Sequence, residues 1–285
     1  MAFTFWRLVL SAVLFGSWTN PSSVAAGAFP TYNSSQATQS APDLSEEEMK
    51  QFLLNAKVIG AKQASKGITR PSRLTLSDGR ITHDAGFQTI NIRKPSEKLD
   101  NGTVEINFVD SYHYNIAAYE LARLLDLGHM MPVTVERKWG GKTGSLSWWL
   151  KVKMDEKDRL QKNIHPPDTE AWNKQMFRKR VFAKLFYDTD PNLTNVLIGE
   201  NWELYMIDFS RAFRLREDLE MKADLTHCDR QLLDSLRKLD AAEIKRVTAP
   251  HLTSAEIKAV IKRRDKIVAH FEKLVAEMGE EAVLY

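Results

Sequence analysis

The sequence predicts an α+β fold with two lobes, a strand-rich N-terminal lobe and a mostly helical C-terminal lobe. With 285 residues, the chain is long enough for one large domain or two lobes. Short apolar runs separated by turn residues dominate up to residue 144, with one long helical pattern, and the helical period dominates from 145 onward. We therefore predict an N-lobe over 44–144 and a C-lobe over 145–285, joined near the flexible, glycine-rich stretch 140–144.

The first residues have the layout of a secretory signal peptide. Arg7 precedes a short apolar run, and small residues follow at 24–28 as possible cleavage sites. The apolar run is shorter than the ~20 residues that cross a bilayer. We predict a signal peptide over 1–26 and an exported protein, periplasmic or extracellular, without a transmembrane span after signal removal. An uncleaved anchor or a buried helix is the alternative.

A second N-terminal segment, residues 27–43, is rich in Ser, Thr, Gln, Asn and Ala and predicts a flexible linker. Ser45 and Glu48 then form a capping box that opens a helix running to about Val58. The next elements are strand-like runs with one helix, which Gly128 ends. The strands are expected at 73–76, 81–92, 103–109, 131–135 and 145–152, and the helix at 111–127.

The second half reads as a series of helices interrupted by one hairpin. Residues 172–186 form a helical pattern that leads directly into a polar loop. The final helix opens with a second capping box, Thr253 with Glu256. Further helices are expected at 217–221, 230–239 and 241–247.

Charge, cysteine and histidine content narrow the functional classes. A net charge of +3, with basic residues scattered among acids, predicts no nucleic-acid partner. The single cysteine, Cys228, excludes an intramolecular disulfide. The seven histidines lack the local spacing of a zinc site, so we interpret them as surface or packed residues.

The strongest chemical signal is an acid, an amide and a second acid on an apolar hairpin. Asn195 lies five residues after Asp190, and two apolar runs around the turn 199–203 lead to Asp208. Phosphoryl transfer needs a loop acid that orients the acceptor hydroxyl, an amide that holds a metal ion, and an acid that holds the metal bridging the phosphates. The hairpin would bring Asn195 and Asp208 close enough to share one Mg²⁺. A plain polar turn before a hairpin is the alternative.

These segments also resemble a known group of proteins. Residues 189–198 and 207–213 resemble the catalytic and metal-binding segments of type II phosphatidylinositol 4-kinases and related atypical kinases, including secretory-pathway kinases. Residues 116–125 with 131–137 resemble the αC helix and following strand of that group, and 67–71 with 76–79 its nucleotide-covering hairpin. The resemblance, which points to an uncharacterised bacterial branch of this group, implies a protein-kinase-like fold with one αC-like helix, and ATP with Mg or Mn as cofactors. Asp190 would be the catalytic base, and Asn195 and Asp208 the metal ligands.

The chain departs from this group where kinases hold the ATP phosphates. Gln88 stands where the group has Lys, and Asn115 where its αC helix has Glu. A neutral Gln–Asn pair could keep the geometry through hydrogen bonds but gives the phosphates no positive charge. Arg93 or Lys94 could supply that charge from a shifted register, with Glu120 as partner.

Other departures surround the two acids. Pro191 follows Asp190 where relatives carry Arg, and Phe209-Ser210 replaces a glycine turn after Asp208. Arg211 is expected to pair with a nearby acid rather than with phosphate.

The sequence therefore predicts nucleotide contacts at Gln88, Arg93, Lys94 and Trp148. Trp148 would line an adenine pocket, with ordinary core packing as the alternative. The functional hypothesis is an exported kinase-like phosphotransferase that moves the ATP γ-phosphate to a hydroxyl acceptor on a protein, a sugar or a lipid head group. A catalytically impaired pseudokinase that binds a nucleotide or a partner, and a structural secreted protein, are the alternatives. The sequence does not indicate the oligomeric state.

Overall fold

The computed structural model describes residues 44–63, 71–98, 102, 104–189, 192–219 and 224–285. The predicted signal peptide (1–26) and linker (27–43) lie outside the described residues. So do Asp190, Pro191 and residues 67–70 of the expected nucleotide-covering hairpin. Among the described residues, no helix combines the length and apolar character needed to cross a membrane.

An antiparallel sheet forms the N-terminal half. Within the described residues, five strands follow the order β1-β2-β3-β7-β6. Their bounds are β1 Lys57–Gln63, β2 Ser72–Ser77, β3 Thr82–Gln88, β6 Thr134–Trp139 and β7 Lys142–Trp148. Side chains alternate along the strands, so that Leu74, Leu76, Ala85 and Phe87 face the core while their neighbours do not.

Two helices and a separate hairpin flank this sheet. Helix α1 (Glu46–Asn55) precedes it, and helix α2 (Tyr112–Leu124) is buried over most of its length. Strands β4 (Asn91–Lys98) and β5 (Val104–Ser111) pair with each other, and β5 runs straight into α2. This direct junction makes the first turn of α2 the meeting point of the sheet and the hairpin.

The C-terminal half is helical around a small sheet of order β8-β9-β10. The three strands are β8 Val152–Asp155, β9 Val196–Gly199 and β10 Leu204–Met206, and a 3₁₀ turn, Leu193–Asn195, precedes β9. The helices are α3 Glu156–Gln161, α4 Thr169–Phe186, α5 Arg230–Lys238, α6 Ala241–Thr248, α7 Ser254–Met278 and α8 Glu280–Val283.

The N-terminal caps of α1 and α7 are those that the sequence predicts. Both expected capping boxes are present, Ser45 with Glu48 at α1 and Thr253 with Glu256 at α7. In each box the hydroxyl accepts from the third helical N–H, and the Glu carboxylate accepts from the cap N–H, which satisfies donors that the helix leaves free.

The glycine-rich stretch is not a joint, so that expectation is wrong. Gly140 (φ 56°) and Gly141 (φ 77°) form the tight turn between β6 and β7. Two successive residues with positive φ suit a two-residue hairpin turn, which glycine adopts without steric cost. The expected lobe boundary between 144 and 145 falls inside β7, which pairs with both β3 and β6.

Other elements differ from the prediction. Residues 217–219 of the expected helix 217–221 are not helical, and 220–221 lie outside the described residues. Helix α1 ends at Asn55 rather than near Val58, and the chain enters β1, which the sequence does not predict. Strand β8 beyond Val152 and helix α3 are also absent from the prediction.

A buried arginine ties the last long helix to the centre of the molecule. Arg263 on α7 is fully buried and donates hydrogen bonds to the backbone carbonyls of Leu185 (2.7 Å), Arg214 (2.8 Å) and Arg216. Burial lowers the pKa of this guanidinium to about 10. Its donors therefore satisfy carbonyls at the end of α4 and in the segment that follows Asp208.

We predict that Arg263→Ala lowers the free energy of unfolding by about 3 kcal/mol or more, because buried carbonyls lose their donors at roughly 1–3 kcal/mol each. Chemical denaturation measures the change. The exposed Arg246, which pairs with Glu243, is the matched control, and Arg246→Ala should stay within about 0.5 kcal/mol. Equal effects of the two substitutions would contradict the role given to Arg263.

Candidate functional site

The β9–β10 hairpin carries both predicted metal ligands to one end of its ladder. Val196 pairs with Met206, and the N–H of Ile207 donates to the carbonyl of Asn195 at 3.0 Å. Asn195 therefore lies just before β9, and Asp208 just after β10, at the same open end. The structure brings these two positions together as the sequence suggested, while their role as metal ligands stays a prediction.

Asp208 has an unusual backbone for a residue that is not glycine. Its φ is 58°, in the left-handed region, and its side chain is exposed. Few residues other than glycine adopt positive φ, although Asp tolerates it better than most. The following residue, Phe209, is buried against Phe182 and Phe186 with ring centroids 5.4 and 6.1 Å away. A buried anchor therefore holds an exposed carboxylate in a turn that costs conformational energy, a combination that is frequent at functional sites.

Helix α2 fixes the segment that follows Asp208. The N–H of Phe209 donates to Oδ1 of Asn115 at 2.7 Å, and the N–H of Ser111 donates to the carbonyl of Ser210 at 2.8 Å. Asn115 is also buried. Its amide thus links the helix directly to the turn that presents the predicted metal ligand.

The other end of the Asn115 amide reaches the sheet. Its Nδ2 donates to Oε1 of Gln88, the last residue of β3. The expected hydrogen bond between Gln88 and Asn115 is confirmed. The additional bond from Asn115 to Phe209 was not foreseen, because sequence spacing gives no indication of it. One neutral amide therefore connects β3, α2 and the Asp208 turn.

The alternative charge pair with Glu120 is wrong. Arg93 on β4 lies 3.6 Å from Glu256, and Lys94 pairs with Glu97 at 2.6 Å on the same exposed strand. Glu120 instead binds Lys50 at 3.1 Å. A nucleotide contact by Arg93 or Lys94 stays a prediction.

Trp148 packs in the sheet. Its ring stacks on His83 with centroids 3.7 Å apart and meets the edge of Phe52 at 5.6 Å. These contacts favour the core-packing interpretation over a place in an adenine pocket, which stays a prediction.

Glu105 on β5 anchors the chain beyond Asp208. Arg211 binds Glu105 at 2.8 Å, as expected for pairing with a nearby acid, and Arg214 binds the other oxygen of the same carboxylate. Thr189, which directly precedes Asp190, donates to the carbonyl of Arg211 at 3.0 Å. The start of the predicted catalytic loop is therefore attached to the segment that follows Asp208.

A small cavity lies beside Asn195. It is lined by Lys179, Asp188, Asn192 and Asn195, among others. Burial lowers the pKa of Lys179, and the negative charge of Asp188 partly opposes this effect. Sequence reasoning missed both residues, since a lysine within a helix and an acid at its end are common without any function.

Comparisons with known proteins identify the fold. No family model matches the chain, and no curated protein matches its sequence. Solved structures do match: hydra Fam20 with sugar has a TM-score of 0.59 at 15% identity, covering 87% of this chain and 94% of that one. The Golgi casein kinase, also solved with Mn/ADP bound, has a TM-score of 0.57 at 12% identity, with 84% and 78% covered.

The Helicobacter pylori proinflammatory kinase CtkA has a TM-score of 0.51 at 10% identity, with 80% of this chain and 97% of that one covered. The protein thus has an atypical kinase-like α+β fold, as the sequence predicted. At this level of identity the likeness establishes the fold alone.

We predict that Asn115→Ala destabilises the protein by about 1–3 kcal/mol and speeds hydrogen exchange at the Phe209 amide, because that buried N–H loses its acceptor. Asn115→Asp should keep the protection of Phe209, since its carboxylate still accepts, while it loses the donor to Gln88. Denaturation and amide exchange followed by NMR measure both effects. Exchange at Phe209 that is unchanged in Asn115→Ala would contradict this link.

Proposed function

We propose that the protein is a kinase-like phosphotransferase that uses ATP with Mg²⁺ or Mn²⁺ to phosphorylate a hydroxyl acceptor. The observation that carries the proposal is the placement of Asn195 and Asp208 at one end of the β9–β10 hairpin, in an atypical kinase-like fold. We also propose that the protein is exported from the cell and that the acceptor hydroxyl lies on a protein, a sugar or a lipid head group.

The donor groups suit a hard divalent cation. The exposed Asp208 carboxylate and the partly buried Asn195 amide offer oxygen ligands, which Mg²⁺ and Mn²⁺ prefer, and the exposed position leaves room for bound water. When bound, the cation would neutralise charge on the ATP phosphates. Asn115 and Phe209 hold the Asp208 turn in place, so that little reorganisation is needed when the substrate binds.

The acceptor side would depend on Asp190. A loop acid in this position orients the acceptor hydroxyl and takes its proton as the oxygen attacks the γ-phosphorus. Thr189 and Arg214, which hydrogen-bond at 3.3 Å, tie the start of this loop to the chain beyond Asp208. This attachment supports the proposal that Asp190 and Asp208 belong to one site.

A pseudokinase is the second candidate, and a specific observation favours it. The Gln88–Asn115 pair is neutral where kinases place a Lys–Glu ion pair. The amide of Gln88 can donate to a phosphate oxygen but carries no charge, and charge-assisted bonds are roughly twice as strong as neutral ones. Without a positive charge at this position, the protein would bind the nucleotide but would not transfer its γ-phosphate.

We predict that ATP with Mg²⁺ or Mn²⁺ raises the melting temperature of the wild-type protein, and that Asp208→Asn weakens the metal-dependent binding by at least about tenfold. Asn keeps the left-handed backbone accessible, so the substitution removes charge rather than the turn.

Asp126 is the matched control, because it is also exposed with a φ of 59°. Asp126→Asn should leave the nucleotide effect unchanged. If ATP with metal raises the melting temperature of Asp208→Asn as much as that of the wild type, Asp208 is not a metal ligand. If it does not raise the melting temperature of the wild type, a structural protein is the better interpretation. Radiolabelled transfer to hydroxyl acceptors separates kinase from pseudokinase.

We predict that Gln88→Lys combined with Asn115→Glu tightens binding of ATP and metal by about tenfold, because it adds a charge at the phosphate position with a carboxylate to hold it. Gln51→Lys adds the same charge on an exposed face of α1 and serves as control. Calorimetric titration measures the affinity. If both changes have the same effect, the phosphates do not lie beside Gln88.

A further inference from the structure

Two histidines and a glutamate from distant parts of the chain converge outside the hairpin site. His113 lies in the first turn of α2, Glu136 on β6, and His251 between α6 and α7. The Nδ1 atoms of the two histidines are 2.9 Å apart, and Oε2 of Glu136 lies 3.8 Å from one and 3.9 Å from the other. The three potential ligand atoms form a compact triangle.

The triangle has nearly the size that a tetrahedral metal requires. Zn²⁺ binds imidazole nitrogen and carboxylate oxygen at about 2.0–2.2 Å, which places neighbouring tetrahedral ligands about 3.3–3.4 Å apart. Each of the three separations differs from that value by roughly half an ångström. All three separations are close enough to the tetrahedral value for the atoms to share one ion once the hydrogen bond between the two rings opens.

The surroundings also suit a metal. Both imidazole rings are largely shielded from solvent, with 25% of the His113 side chain and 9% of the His251 side chain accessible. The hydroxyl of Tyr112 donates to Oε2 of Glu136 at 3.3 Å, as an outer partner that orients the carboxylate. Glu136 is the most exposed of the three, with 38% of its side chain accessible, so the triangle opens toward solvent on that side.

We propose that His113, Glu136 and His251 form a binding site for a divalent transition metal of borderline softness, with Zn²⁺ as the best fit. Two imidazoles and one carboxylate favour Zn²⁺ and Co²⁺ over Mg²⁺, whereas Asn195 and Asp208 offer only oxygen. The chain supplies three ligands, and water completes the tetrahedron. On binding, the proton shared between the two Nδ1 atoms moves to Nε2 of its own ring through exchange with solvent, so both Nδ1 lone pairs face the ion.

The site would cross-link three elements next to the predicted catalytic centre. His113 is two residues before Asn115, which binds Gln88 and Phe209. A metal here holds the first turn of α2 against β6 and the segment before α7. This proposal does not depend on the proposed phosphotransfer. The metal expected here also differs from the Mg²⁺ or Mn²⁺ proposed for Asn195 and Asp208.

The test is titration of the full-length, chelator-treated protein with Zn²⁺ or Co²⁺ alone, without nucleotide. We expect one equivalent to bind, a rise in melting temperature, and the visible absorption of tetrahedral Co²⁺. His251→Ala and Glu136→Gln should each weaken binding by at least about 100-fold. Because Glu136→Gln keeps the size of the side chain, misfolding would not explain a loss of metal binding in this variant.

His129→Ala changes an exposed histidine elsewhere on the surface and should bind as the wild type does. Asp208→Asn should also keep Zn²⁺ binding, which separates this site from the hairpin site. Absence of stoichiometric Zn²⁺ binding, equal affinity in Glu136→Gln and wild type, or loss of binding in His129→Ala would each overturn the proposal. The histidines would then only share a hydrogen bond.

Discussion

The first turn of α2 is the constraint on which the arrangement of the site depends. Ser111 binds the backbone of Ser210, Tyr114 donates to Glu256 at the start of α7, and Asn115 binds both Gln88 and Phe209. Residues on one helical turn point in different directions, so one turn can contact the sheet, the helical half and the Asp208 segment at once. A shift of this turn would therefore disturb its contacts with all three parts of the structure.

The Asn115 amide separates two tasks that kinases assign to one ion pair. In kinases the Lys–Glu pair both sets the helix position and supplies charge to the phosphates. Here hydrogen bonds keep the positioning, at a net gain of about 0.5–1.5 kcal/mol each, and avoid the cost of burying two charges. The chain therefore keeps the contact between α2 and β3 without the charge that a Lys–Glu pair would place there.

Local chemistry made part of this structure predictable. Capping boxes and the β9–β10 hairpin depend on residues close in sequence. The Gln88–Asn115 bond is predictable from the resemblance, which assigns the two residues to the Lys and Glu positions of one ion pair. Contacts between other distant segments were not predictable in this way. The pair His113–His251 spans 138 residues, so a search for local ligand spacing passed over it. Gly140 and Gly141 suggested flexibility because sequence alone does not reveal that their strands pair.

Both edges of the proposed site are anchored by polar groups in a largely apolar interior. Arg263 binds carbonyls at Leu185 and Arg214, so it holds the end of α4 and the chain beyond Asp208 together. Glu105 holds that same chain from the hairpin side through Arg211. Because a buried carbonyl that loses its donor costs free energy, these contacts resist independent movement of the two segments. Asp208 therefore lies in a left-handed turn between two anchored segments, so that packing around it rather than local backbone preference fixes its position.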